Sequence, residues 1–126
     1  ATLKDLTVYR KSFELAMQIF EITKIFPAEE KFSLVSQIRR SSRAVCTNLA
    51  EGYRKRQYPA HFVAKISDAD MENTETRVWL DFSLSCGYIS NSMYEEYIAT
   101  TTEIGKLLNH MMNNPDKYQV KIESKL

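Results

Sequence analysis

The side chains able to do chemistry in this chain are mostly cations. Arg39, Arg40 and Arg43 stand within about one helical turn. Arg54, Lys55, Arg56 and Lys65 follow, with Glu51 as the one acid among them. Guanidinium and ammonium groups at this density suit phosphate, because they donate charge-assisted hydrogen bonds to backbone oxygens whatever the bases are. Arg56 and His61 are separated by four residues, which raises the question of an imidazole that could move a proton beside a guanidinium. Pro59 lies between them, and a basic link beside a helix-start histidine is the plainer meaning of the same spacing. The Glu-x-x-His pairs that build di-metal sites in helical bundles are missing, since Tyr58 stands three residues before His61 and Leu107 three before His110. Two scattered histidines give a serine no base, and no glycine-rich loop cradles a phosphate. No metal, cofactor or enzymatic activity is therefore expected. Cys46 and Cys86 are far apart and lack ligand spacing, so two reduced thiols are expected in place of a disulfide.

These cations need a helix to array them. In residues 37–52, QIRRSSRAVCTNLAEG, a face of small and aliphatic residues is formed by Ile38, Ser41, Ser42, Val45, Leu49 and Gly52 at spacings of three and four. Arg39 and Arg43 are expected to point outward from it, and Arg54 returns to within about 20° of the same meridian. Asn48 falls toward the packed side, where its amide needs partners; with Glu51 and Gly52 it is assigned a structural role.

The remaining punctuation gives three more helices. Thr2 and Asp5 are candidate caps for a first helix running to about Phe26, where Pro27 follows. That helix carries two apolar stripes about 100° apart: Leu6, Tyr9, Phe13, Ala16, Phe20 and Thr23, then Val8, Leu15, Ile19, Ile22 and Phe26. A spare stripe implies contact with another subunit, or else deep burial inside the same domain. Ser33 is placed to cap the second helix. After the basic link YRKRQY, Pro59 suits the first turn of a third, whose seam is Phe62, Ile66, Ala69, Asn73, Thr76, Leu80 and Ser83, with Gly87 as its stop. Ser92-Met93-Tyr94-Glu95 reads as a capping box opening a fourth, which Asn113-Asn114-Pro115 ends. The expected fold is all-α, an antiparallel up-down-up-down four-helix bundle over residues 1–115 with a flexible tail at 116–126.

Composition agrees and adds one asymmetry. Hydrophobic residues at 44% and charged residues at 26%, with three Gly and three Pro, describe one globular domain of long elements. With no apolar run of membrane-spanning length and no leader pattern, a cytoplasmic protein without membrane contact is expected. Residues 36–66 carry a net +6 and residues 67–105 a net −7, a segregation that suggests an electrostatic footprint or copies meeting basic side to acidic side.

Four segments resemble the 23S rRNA intervening-sequence proteins, also described as four helix bundle proteins: LTVYRKSFELAMQIF, FPAEEKFSLVSQIRRSS, TNLAEGYRKR and ETRVWLDFSLSCGYIS. The family's Phe-Pro, its Gln-x-x-Arg and its Asn-x-Ala-Glu-Gly are matched by Gln37, Arg40, Asn48, Ala50, Glu51 and Gly52. Cys46 departs from the small residue or proline of many relatives, and Met71-Glu72 from a Gly-Ser pair. The resemblance implies a bacterial protomer assembled into a ring, commonly a homopentamer, related to accessory proteins of diversity-generating retroelements that bind nucleic acid and a reverse transcriptase. Arg56 and His61 resemble, more weakly, the Arg-x4-His signature of HEPN ribonucleases. The leading expectation is a non-enzymatic ring that binds RNA or DNA backbone through Arg39, Arg40, Arg43, Arg54, Lys55, Arg56 and Lys65. A structural or protein-binding scaffold is the alternative, and a ribonuclease the third.

Overall fold

Helical spacing of apolar side chains decides the architecture. The computed structural model describes residues 2–120, and among them four α-helices form and no strand: α1 Thr7–Thr23, α2 Leu34–Arg54, α3 Pro59–Ser85 and α4 Asn91–Asn113. One core joins all four, with Leu15 and Ile19 from α1, Ile38 and Leu49 from α2, Phe62, Ile66 and Leu80 from α3, and Ile104 and Leu108 from α4. The predicted faces of α2 and α3 are buried as written, Ser41, Ser42, Gly52, Asn73, Thr76 and Ser83 included. α1 packs on α2 and α4, and α3 packs on the same two helices, so α1 and α3 stand at opposite corners.

Small and polar residues let α2 and α3 approach closely. Arg40 pairs with Glu72 and Glu75, Ser41 with Thr76, and Glu51 with Lys65. Positions therefore descend along α3 as they ascend along α2. The same order relates α3 to α4, where Asn73 Nδ2 donates to the Thr101 carbonyl and the Tyr94 hydroxyl to Asp81. A buried polar layer crosses the bundle through Ser12, Ser41, Ser42, Asn73, Thr76 and Thr101. Within it Ser12 Oγ and Asn73 Oδ1 have no hydrogen-bond partner among the described residues.

Helix ends follow local chemistry, not always the expected one. Pro59 occupies the first turn of α3. Gly87, at φ 77°, ends it, with Gly87 N–H donating to Leu84 O and Tyr88 N–H to Ser83 O, each at 2.9 Å. Three capping expectations are corrected. Thr2 and Asp5 close a separate 3₁₀ turn at Leu3–Asp5, leaving Leu6 at the N-cap of α1. Ser33 holds the N-cap position of α2 as expected, but its hydroxyl donates to the Glu30 carboxylate at 2.7 Å, so it makes no side-chain cap. α4 opens on Ser90, whose Oγ accepts from Met93 N–H at 3.1 Å, because burial of Ile89 fixes the extended residue there, two positions before the predicted box.

Two boundaries also move. α1 stops at Thr23, three residues early, and Phe26 turns inward to pack on Tyr88 at 5.1 Å. The expected flexible tail is partly packed. A 3₁₀ turn at Pro115–Tyr118 stacks Tyr118 on Phe62 at 5.5 Å, and Val120 N–H donates to Gln57 Oε1 at 3.0 Å. Residues 121–126 of that expectation lie outside the described residues.

Candidate nucleic-acid interface

The seven predicted cations do not form one stripe. Arg39 is turned onto the end of α1, donating from Nε to Thr23 Oγ1 at 2.8 Å and from Nη2 to the Phe20 carbonyl at 3.3 Å. Its guanidinium lies 4.7 Å from the Phe20 ring centre, and that of Arg43 lies 5.6 Å from the same ring. The expectation that both point outward therefore holds for Arg43 alone. Arg39 satisfies the carbonyl end of α1, where a helix leaves acceptors without partners.

Arg40 and Lys65 are committed to acids of the same chain. Arg40 bonds Glu72 at 2.7 Å and Glu75 at 2.5 Å. Those bonds hold its guanidinium charged above the ordinary arginine range, while Arg40 draws the Glu75 carboxyl below its own. Lys65 meets Glu51 at 2.9 Å, and the same pairing raises its ammonium. Arg40 thus joins the basic segment to the acidic one between α2 and α3, whereas Lys65 and Glu51 both belong to the basic segment.

At the far end of α2, Arg54 and Lys55 are exposed and make no side-chain hydrogen bond or ion pair among the described residues. Arg56 lies over the Tyr53 ring at 4.1 Å and donates to the Tyr53 carbonyl at 2.9 Å. His61, on the first turn of α3, meets Tyr58 edge-on at 6.2 Å. Each member of the Arg56 and His61 pair is thus engaged with its own tyrosine. Among the described residues no group of three His, Cys, Asp or Glu side chains is placed to hold a metal ion.

A shallow concave surface runs along the outer side of α2. It is an open groove of about 620 Å³ lined by Lys31, Phe32, Arg39, Arg40 and Arg43 with Val35, Ser36, Ala44 and Thr47, and no acid lines it. Lys31 and Phe32 are members that sequence reasoning missed, having placed them in a short connection. Their signal was the four-residue step from Lys31 through Val35 to Arg39 and Arg43, which extends the helix meridian back into that connection.

The sequence profile described as 23S rRNA-intervening sequence protein matches residues 4–110. The chain belongs to this family. A crystal structure at 1.70 Å of a protein with unknown function, from the S23 ribosomal protein family of Bacteroides thetaiotaomicron VPI-5482, is 34% identical. Its TM-score is 0.76, and the match covers 84% of this chain and 95% of that one. No curated protein matches the chain.

In this 23S rRNA-intervening sequence family chain, Arg40, Glu51 and Gly52 of the segments that carry the resemblance meet α3, while Gln37 and Asn48 bond within α2. Gln37 Oε1 accepts from Arg40 Nε at 3.3 Å, and Arg40 clamps Glu72 and Glu75. Asn48 Nδ2 donates to the Ala44 carbonyl at 2.9 Å, and Glu51 holds Lys65. Gly52 permits the closest approach, since a Cβ there would stand 2.9 Å from Ile66 Cδ1. Glu51 and Gly52 thus face α3, while the Asn48 amide bonds within α2.

Proposed function

We propose that the protein is a non-enzymatic helical bundle, its helices running up-down-up-down, that binds RNA or DNA backbone along the outer face of α2. The observation that carries this reading is the groove lined by four cations and no carboxylate. Lys31, Arg39 and Arg43 supply phosphate contacts there, Arg54 and Lys55 extend the positive surface, and Arg40 supports from its ion pair with α3. Arg56 and Lys65 contribute charge near the α2 terminus, with their side chains already engaged. Phosphate contacts of this kind set affinity without reading sequence. Binding of labelled RNA and DNA measured against salt tests it: a log-log slope of about −0.7 to −0.9 per contacted phosphate is expected, and no complex at moderate salt would refute it.

The ring belongs to the same proposal, with its own support. Phe13 and Met17 on α1 are 52% and 45% exposed, and Phe82 and Val78 on α3 are 53% and 43% exposed. These apolar patches lie on helices at opposite corners, which favours head-to-tail association over a two-fold dimer. Five subunits is the number implied by the resemblance, as is service to an RNA or reverse-transcriptase system. If the patches serve association and α2 binds no nucleic acid, the protein is an oligomeric scaffold.

A further inference from the structure

We propose that the groove on α2 takes single-stranded nucleic acid, with Phe32 as the stacking platform for one unpaired base and Lys31, Arg39 and Arg43 contacting the phosphates beside it. This rests on the reading of the groove as a phosphate-binding surface, and adds which form of nucleic acid it accepts.

Phe32 has no packing role. It is 86% exposed, more than any other aromatic residue among the exposed large side chains, although phenylalanine normally contributes by burial. Lys31 Nζ lies over one face of the ring, 5.3 Å from its centre, so a base would stack on the opposite face with this ammonium close by. The exposure leaves a ring face open to solvent beside the groove it helps to line.

The cations beyond it are fixed in advance. Arg39 is held by Thr23 and the Phe20 carbonyl, and Arg43 lies over the Phe20 ring. Less side-chain freedom is then lost when phosphate arrives. From Ser36 to Thr47 the groove follows α2 for about 16 Å, the length of about four or five phosphates in a stacked strand. A duplex covers its base faces with neighbouring bases and offers Phe32 nothing to stack on, whereas an unpaired base presents a π face whatever its identity.

Phe32→Leu, Phe32→Tyr and Arg43→Glu separate the possibilities, with fluorescein-labelled oligouridylate, oligothymidylate and an RNA duplex as probes. Circular dichroism and light scattering on each sample report fold and mass. Phe32→Leu is expected to weaken both single-stranded probes by roughly 5- to 150-fold, the range of one base on an aromatic ring. Duplex binding should stay unchanged, and Phe32→Tyr should restore the loss. Arg43→Glu should weaken all three probes. If Phe32→Leu leaves either single-stranded probe unaffected, or weakens the duplex equally, the stacking site is refuted while the backbone reading stands. A change of mass in Phe32→Leu would refute it too, by placing the ring between subunits. Wild-type protein that binds none of the probes would remove both readings.

Discussion

Arg39 shows how one side chain changes meaning between sequence and structure. On a helical projection it is a surface cation one turn from Arg43; in space it closes α1 through Thr23 and Phe20. Arg39→Ala is therefore expected to cost about 1–2 kcal/mol, since it strips a charge-assisted partner from half-buried acceptors. Arg43→Ala, at an exposed position, should stay within about 0.5 kcal/mol of wild type. Urea denaturation of the two variants side by side checks the contrast, and equal stabilities would remove the capping role. The cysteines differ as sharply. Burial pushes the Cys46 thiol up to about 11 from an ordinary 9.0, whereas Cys86 is exposed. Iodoacetamide at neutral pH should label Cys86 and spare Cys46 until unfolding. Between those two values the unfolded chain has released the thiol proton and the folded chain keeps it, so stability should fall as pH rises from about 9 toward 11. Cys46→Ala should flatten that fall in urea midpoints, and an unchanged decline would assign it to other groups.

Among the elements, the contact of α2 with α3 is the one whose geometry leaves least room. Gly52 sits where an added methyl would meet Ile66 Cδ1 at 2.9 Å and Lys65 Cβ at 3.2 Å, and Ile66 is fully buried. Alanine is the better helix former by about 1 kcal/mol, but overpacking costs roughly 1–3 kcal/mol. Gly52→Ala is thus expected to destabilise by about 1 kcal/mol net, measured by urea or thermal unfolding; a stabilised variant would show that α3 gives way freely. Gly105 on α4 is the contrast, because a Cβ there would make only ordinary contact, 3.5 Å from Asn73 Nδ2. Gly105→Ala should be neutral or stabilising. The element ends were legible where one residue type alone fits the geometry. Gly87 at φ 77° and Pro59 in a first turn were named correctly. Ser33 holds its cap position without a side-chain cap, and Ser92 was misassigned, because serine competes for several partners: Glu30 captured the first, and burial of Ile89 handed the cap to Ser90 before the second.

For the whole molecule the open issue is assembly, and the structure changes the grounds for it. Opposite net charges on successive segments suggested copies meeting basic to acidic side, yet Arg40 of the first segment finds Glu72 and Glu75 of the second within the chain. Among the exposed apolar side chains, Phe13 with Met17 stands on α1 and Phe82 with Val78 on α3, at opposite corners. Phe13→Glu and Phe82→Glu are each expected to lower the oligomer mass in light scattering while circular dichroism stays unchanged, because both side chains are half exposed in one subunit. For the head-to-tail contact we propose, equimolar mixing of the two variants should restore at most one heterologous junction per pair and give dimers, not rings. A wild-type monomer at micromolar concentration would end the ring proposal, and rings persisting in both variants would move the interface elsewhere.

By itself the sequence determined four helices, their order and their inward faces, because the 3.6-residue period and the scarce glycines and prolines admit few other arrangements of these apolar residues. It also delimited the region in which cations gather. Only the tertiary structure decided which of those cations are available. A guanidinium reaches several ångströms from its backbone, so its partner is chosen by whichever helix packs alongside: the end of α1 for Arg39, the acids of α3 for Arg40. The same packing left Phe32 in water beside Lys31 and buried Phe26 six residues earlier. Periodicity, blind to what lies across an interface, gives those two rings no such distinction.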